Sequence, residues 1–146
     1  MADPQNLAKR VVDLMESRDS FSKWLGLKIA SVVPGRVVLT ATIRKDMLNG
    51  FGTCHGGITF AIADSTLGFA ANTHGRLALT MEGNVSLTKA IHEGDVLTVT
   101  AEELSNGNRI AVYGVTMTNQ AGVQVAVVRG TLYKLDVEHF PGETKP

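Results

Sequence analysis

Apolar positions fall into three regimes along the chain, and each regime predicts a different kind of element. Leu7, Val11, Leu14 and Met15 recur at helical spacing, behind an Asp3-Pro4 pair that supplies an N-cap and a proline at the first helical position. A helix over about Pro4–Arg18 follows. Ser20 and Phe21-Ser22-Lys23-Trp24-Leu25 read as a short second turn, closed by Gly26, where a left-handed residue costs little. Leu27–Val33 and Arg36–Arg44 are β-rich runs on either side of Pro34-Gly35, a favourable turn pair, and predict a hairpin. Lys45–Cys54 reads as a loop with one helical turn ahead of Asn49.

The second regime runs from Gly56 or Gly57 to about Thr73. Ile58, Phe60, Ala61, Ile62, Ala63, Leu67, Phe69, Ala70 and Ala71 make it apolar on most sides rather than along one stripe, which predicts a helix enclosed by other elements. The third regime is β: Leu77–Thr88, Asp95–Leu104, Arg109–Thr118 and Val123–Leu135. Alternation is clear where Leu97, Val99 and Ala101 interleave with Val96, Thr98 and Thr100, and Asn106-Gly107 is a strong hairpin signal. Ala121-Gly122 marks another turn. After Asp136 periodicity stops, so residues 137–146 read as a mobile tail. The sum is one α+β domain over residues 1–136, an antiparallel sheet wrapped around a central helix, without internal repeats. Such a sheet has free edges and a broad apolar face, which predicts oligomerisation.

Composition narrows the function classes. A chain of 146 residues, 44% apolar, is long enough to bury roughly two-thirds of its unfolded surface as a single unit. Fourteen basic and fourteen acidic residues cancel, and no Lys/Arg block appears, which argues against a surface that tracks nucleic-acid phosphates. Any anionic ligand has to be held locally. Cys54 is the only cysteine, so there is no internal disulfide and no zinc site of the cysteine type, which suits a reducing compartment. The first ten residues lack the apolar stretch of a signal peptide, and no run reaches the roughly 18 apolar residues of a membrane span. The cytoplasm is the expected location.

The candidate chemistry is concentrated in Asn49-Gly50-Phe51-Gly52-Thr53-Cys54-His55-Gly56-Gly57 and in Asp64, a lone acid two turns inside the apolar helix. The first amides of a helix have no partner within it and sit at the positive end of its dipole. Glycine at that point lets a substrate carbonyl approach closely. A carboxylate in such a helix is costly unless it has a partner or a task. The pattern therefore points to backbone donors aimed at an acceptor, beside an acid or base. Simpler readings exist for each residue: Asp64 satisfied by backbone or serine donors, Gly56 and Gly57 kept small for packing, Asn49 capping a turn, His55 bracing the loop, and Cys54 a small apolar filler rather than a nucleophile.

Asn49, Gly52, His55-Gly56-Gly57 and Asp64, in that order and spacing, resemble the hotdog-fold acyl-CoA thioesterases of the phenylacetyl-CoA and hydroxyphenylacetyl-CoA type, the PaaI family. Leu48-Asn49-Gly50-Phe51-Gly52, Gly94-Asp95 and Arg129-Gly130-Thr131 extend the likeness over about Phe21–Leu135. The resemblance implies a hotdog fold, subunits paired so that two sheets become continuous, and a site shared between subunits, usually within a tetramer. It implies that the Gly56 amide polarises the thioester carbonyl with Asn49 assisting, and that Asp64 is the general base or the nucleophile. It also implies a water-orienting hydroxyl at Thr80, while His55, ahead of two glycines, reads as either a catalytic base or a residue that orients the loop, the orienting role being favoured. Gly57, Thr88, Lys89, Asn108 and Arg109 fall where such enzymes contact their CoA thioester. Neither metal nor cofactor is required. The implied function is release of free acid and CoA from an aryl-acyl-CoA, as in phenylacetic acid degradation. The alternatives are a non-hydrolytic acyl-CoA-binding module, a medium-chain or other acyl specificity, and a hotdog dehydratase or hydratase.

Overall fold

The computed structural model describes residues 2–144. Helix α1 spans Pro4–Arg18, with the Asp3 carboxylate accepting the Asn6 amide at 2.9 Å and Leu7, Ala8, Val11 and Val12 buried along one face. Helix α2, Ser20–Leu25, ends on Gly26 at φ +72°, a left-handed position that closes the turn without a Cβ clash. Strands β1 (Lys28–Val33) and β2 (Arg36–Thr42) form the hairpin, and a 3₁₀ turn over Lys45–Met47 leads into the glycine-rich loop. Helix α3 follows over Gly56–Asn72, and β3 (Arg76–Leu87), β4 (Val96–Asn106), β5 (Ile110–Thr118) and β6 (Gln124–Glu138) complete the chain. Among the described residues no helix is long and apolar enough to cross a membrane.

The six strands make one antiparallel sheet in the order β1-β2-β4-β5-β6-β3. Alternation delivers Val37, Leu39 and Ala41 of β2, Leu97, Val99 and Ala101 of β4, and Tyr113, Val115 and Met117 of β5 to one buried face. Helix α3 packs on that face across β2 to β6, with Ile62, Leu67, Phe69 and Ala70 buried. Its apolar circumference is explained by that envelopment. Two glycines in the sheet receive helix side chains. A Cβ on Gly83 would lie 2.8 Å from the Phe60 ring, and one on Gly130 would lie 2.7 Å from Leu67 Cδ2.

The two sheet edges differ. Strand β1 begins with a lysine, carries a bulge between Ile29 and Ser31, and has its Val32 carbonyl taken by Gln5 Nε2 of α1 at 2.7 Å. Strand β3 has no such cover among the described residues and exposes Leu79, Met81, Val85 and Leu87. At the C-terminus β6 runs to Glu138, beyond the Leu135 limit that periodicity suggests. The next residues turn onto the end of α3 and onto α1. The His139 amide donates to the Gly75 carbonyl at 2.8 Å, its ring to Asn72 Oδ1 at 2.7 Å, and Arg10 pairs with Glu143 at 2.6 Å while stacking over Phe140. Lys145 and Pro146 of the expected tail lie outside the described residues.

Candidate active site

The glycine-rich loop is built around one side chain. Asn49 Oδ1 accepts the Phe51 and Thr53 amides at 2.9 and 3.2 Å, its Nδ2 donates to Thr53 Oγ1 at 3.0 Å, and its own amide donates to the Thr53 carbonyl at 2.7 Å. The turn-capping reading of Asn49 is thus realised. The loop is tied down on both sides: the His55 amide donates to Met47, and the Cys54 amide to Ile91, a residue with no sequence proximity to it.

At the start of α3 the amides are distributed unequally. His55 is the N-cap, and its Nδ1 accepts the Gly57 amide at 2.9 Å, which leaves the proton of the neutral ring on Nε2. Ile58 and Thr59 donate to the His55 carbonyl. Gly56 donates to nothing among the described residues. Gly56 lines a cleft of about 340 Å³ together with Asn49, Leu87, Thr88, Lys89 and Ile91. A Cβ on Gly56 would meet Leu87 Cδ1 at 2.9 Å, the flexible end of an exposed side chain that has to move aside.

Asp64 is partly buried, and its Oδ1 is shielded from solvent without a hydrogen-bond partner among the described residues. The neighbouring serine does not satisfy it: Ser65 Oγ lies 2.9 Å from Ser22 Oγ, which in turn contacts Asp19. Eight residues separate Gly56 from Asp64, about 12 Å along a helix axis. A carbonyl hydrogen-bonded to Gly56 is therefore out of reach of Asp64 in the same chain. Thr80 is exposed on the edge strand β3, opposite Leu132 and beside an irregularity in register.

The fold gathers Asn49, Gly56, Thr88 and Lys89 around one cleft, while His55 and Gly57 line a separate hollow with Met47, Leu48 and Ile58. It separates Asn108 and Arg109 from them. Both lie at the β4–β5 turn, and Asn108 lines a different cavity beside Thr73 and His74 at the far end of α3. The Asn108 carbonyl accepts Arg76 Nη1 at 3.0 Å, and Arg109 pairs with Asp136 at 2.6 Å. Cys54 is buried, 3.7 Å from Thr59 Oγ1, and burial pushes its thiol pKa up, which fits a filler and not a thiolate nucleophile. Leu87 and Ile91 join the cleft without a signal in the sequence, and Thr53 joins it from within the glycine-rich motif. Only Thr53 had a local signal, its position four residues after an asparagine in a turn. Among the described residues no three His, Cys, Asp or Glu side chains converge as a metal site.

The chain is similar to known proteins in sequence and in fold. The family model of the thioesterase superfamily matches residues 51–126. A putative esterase of Archaeoglobus fulgidus is 34% identical over 140 residues, covering 96% of this chain and 90% of that protein. The acyl-coenzyme A thioesterase PaaI of Escherichia coli is 34% identical over 121 residues, covering 83% and 86%. The solved structure of E. coli PaaI matches with a TM-score of 0.91 at 31% identity, over 93% of this chain and 99% of that one. A hypothetical thioesterase of Streptococcus pneumoniae, solved with coenzyme A, matches with a TM-score of 0.72 at 30% identity, over 74% and 87%. That protein has also been solved with one aspartate or one threonine replaced by alanine. By fold, by the loop and helix that frame Gly56, and by these likenesses, the chain belongs to the thioesterase superfamily, among its hotdog-fold, PaaI-type members.

Proposed function

We propose that the protein is an acyl-CoA thioesterase that hydrolyses aryl-acyl-CoA thioesters, phenylacetyl-CoA or a ring-hydroxylated form, to free acid and CoA. The observation that carries this reading is a pair of unsatisfied groups on one helix, the Gly56 amide and Asp64 Oδ1. The Gly56 N–H binds the thioester carbonyl oxygen and holds the negative charge that develops on it, at the positive end of α3. Asn49 keeps the loop in shape, and its Nδ2 retains one hydrogen beyond that given to Thr53. His55 orients the turn. Water attacks the carbonyl carbon as Asp64 takes its proton, or Asp64 attacks first and water opens the resulting anhydride. In both routes the C–S bond breaks and CoA leaves as the thiol once protonated.

The separation of about 12 Å along one helix keeps Gly56 and Asp64 of the same chain from sharing one carbonyl, which supports a site completed by Asp64 of a partner subunit. Pairing through the uncovered β3 edge, where Thr80, Met81 and Val85 are exposed, would bring two copies of α3 together. Thr80 then orients the water. In support, the aspartate and threonine replaced in the S. pneumoniae relative are sixteen positions apart, the spacing of Asp64 and Thr80 here. Thr88 and Lys89 hold CoA phosphates at the cleft, Gly57 lies against the acyl end, and Asn108 and Arg109 contribute from another subunit of a dimer or tetramer. The single buried thiol suits a reducing compartment, and we place the enzyme in the cytoplasm.

Thiol release from phenylacetyl-CoA, benzoyl-CoA, hydroxylated analogues and aliphatic acyl-CoAs tests the reading, with wild type beside Asp64→Asn. Aryl-selective release that drops by about 10² to 10⁴ in the variant is the expected result. Binding of thioesters without release by wild type would make the protein an acyl-CoA-binding module instead.

A further inference from the structure

Four aromatic residues are exposed among those described: Phe51 on the glycine-rich loop, Phe21 and Trp24 on α2, and Tyr133 on β6. Phe51 projects alone. Phe21 and Trp24 form a stacked pair, with ring centroids 6.0 Å apart and planes within 10° of parallel. About half of each residue is exposed, 51% and 46%, although one helical turn inward Leu25 is fully buried. Exposing two large rings side by side forfeits the burial that normally places them in a core.

The pair is also held in place. The Asp19 carboxylate caps α2 by accepting the Ser22 amide at 2.9 Å, and it contacts the Ser22 hydroxyl. Ser22, itself buried, meets Ser65 Oγ at 2.9 Å. Arg44 lies over the Trp24 ring, 5.0 Å from its centroid, and is tethered by Asp46 at 3.1 Å. Asp46 in turn lines the apolar hollow that contains Met47, Leu48 and Ile58 beside Gly57. Helix α2, which bears the rings, is thus held through Ser22 to Ser65, the residue next to Asp64, and Trp24 is linked through Arg44 and Asp46 to the hollow beside Gly57.

We propose that Phe21 and Trp24 form an aromatic wall that receives the aryl part of the thioester beside Asp64, and so set the preference for aryl over aliphatic acyl groups. This rests on the aryl-acyl-CoA reading above. A flat ring sliding against a rigid aromatic pair gains offset-stacked or edge-to-face contact that a flexible alkyl chain does not match. The Ser22–Ser65 contact links the wall's position to that of the acid.

Trp24 is the only tryptophan of the chain, so its fluorescence reports directly on the wall. Phenylacetyl-CoA added to the full-length Asp64→Asn protein should quench or shift that emission saturably, whereas hexanoyl-CoA should change it far less. In parallel, Trp24→Ala and Phe21→Ala should each lower the ratio of aryl to aliphatic kcat/KM by about tenfold. Trp24→Phe should restore most of that ratio. Size-exclusion chromatography with light scattering checks each variant. An unchanged ratio in both alanine variants of an enzyme that releases thiol overturns this inference and leaves the thioesterase reading standing. Equal losses on both substrates together with a changed oligomeric mass also overturn it, since the rings would then be a subunit contact. Absence of thiol release from wild type overturns the catalytic reading, and a saturable aryl-specific Trp24 response in that protein still supports the wall.

Discussion

The Nδ1 of His55 accepts the Gly57 amide at 2.9 Å, and the amide of the intervening Gly56 is left with no partner among the described residues. A histidine in that posture is a helix cap. It occupies one amide and leaves the other available. Asparagine is among the best residues at this position. His55→Asn is therefore expected to keep most of the turnover and stability, while His55→Ala loses about 1 kcal/mol of stability and a larger share of activity. Thermal melts and thiol-release assays on both variants check this, and equal loss of activity in both would mark His55 as a proton carrier.

Proline at Gly56 removes the amide hydrogen at the one helical position where proline is favoured. Gly56→Pro is expected to cost about 10²- to 10³-fold in kcat. The added carbons crowd the flexible end of Leu87, so Leu87→Ala in the same chain should relieve the packing cost without restoring turnover. Mixing Gly56→Pro with Asp64→Asn protein under subunit exchange should recover activity, because hybrid pairs hold one intact site. Absence of recovery would place both residues in a single chain's site.

Lys89 borders the cleft from an exposed position and has no ion-pair partner among the described residues. Charge reversal in Lys89→Glu should raise KM for CoA thioesters several-fold with kcat held, the signature of lost uniform binding. The effect should shrink as salt is raised. An unchanged KM at low salt would remove Lys89 from the CoA path.

Gly83 and Gly130 carry a different kind of requirement. Alanine at Gly83 places a carbon 2.8 Å from the ring of half-buried Phe60, and at Gly130 one 2.7 Å from Leu67, which is fully buried and has little room to yield. Each substitution is expected to destabilise by about 1–3 kcal/mol, read as a fall in the denaturant midpoint. Phe60→Leu should offset part of the Gly83→Ala loss.

The C-terminal return onto α3 has a pH dependence with a definite sign. Burial, with a smaller contribution from Arg18, holds the His139 imidazole below its ordinary pKa of 6.5. Folding thus favours the neutral ring. The associated stability is complete above pH 6.5 and is lost as pH falls through the lowered folded value. Hydrogen exchange at residues 139–143, corrected for intrinsic rates, should quicken between pH 7.5 and 5.5 in wild type. The pH response should disappear in His139→Asn.

Much of this architecture is legible in the chain because its cues are local. The Asp3-Pro4 cap, the Gly26 stop and the Pro34-Gly35 turn each rest on residues within one turn of one another, and all three appear in the structure. The opening of α3 is legible for the same reason, since a glycine at a helix start exposes its amide whatever surrounds it. Long-range pairings were not legible. Nothing near Arg109 announces Asp136, nothing near Cys54 announces Ile91, and Leu87 meets Gly56 only because β3 runs back along α3. The end of β6 was missed because Asp136 and Glu138 interrupt the apolar count while the backbone continues to pair with Arg76.

Phe60 seated over Gly83 and Leu67 over Gly130 act as two registration pins between helix and sheet. A slide of α3 by one residue, about 1.5 Å, would carry both side chains off their seats and onto positions that bear a Cβ. Asp64 lies between the pins, so its height above the sheet is set by the core and not by any loop. Loops around the cleft can then change in length or composition during evolution, and with them the acyl group accepted, while the carboxylate stays where the packing has put it.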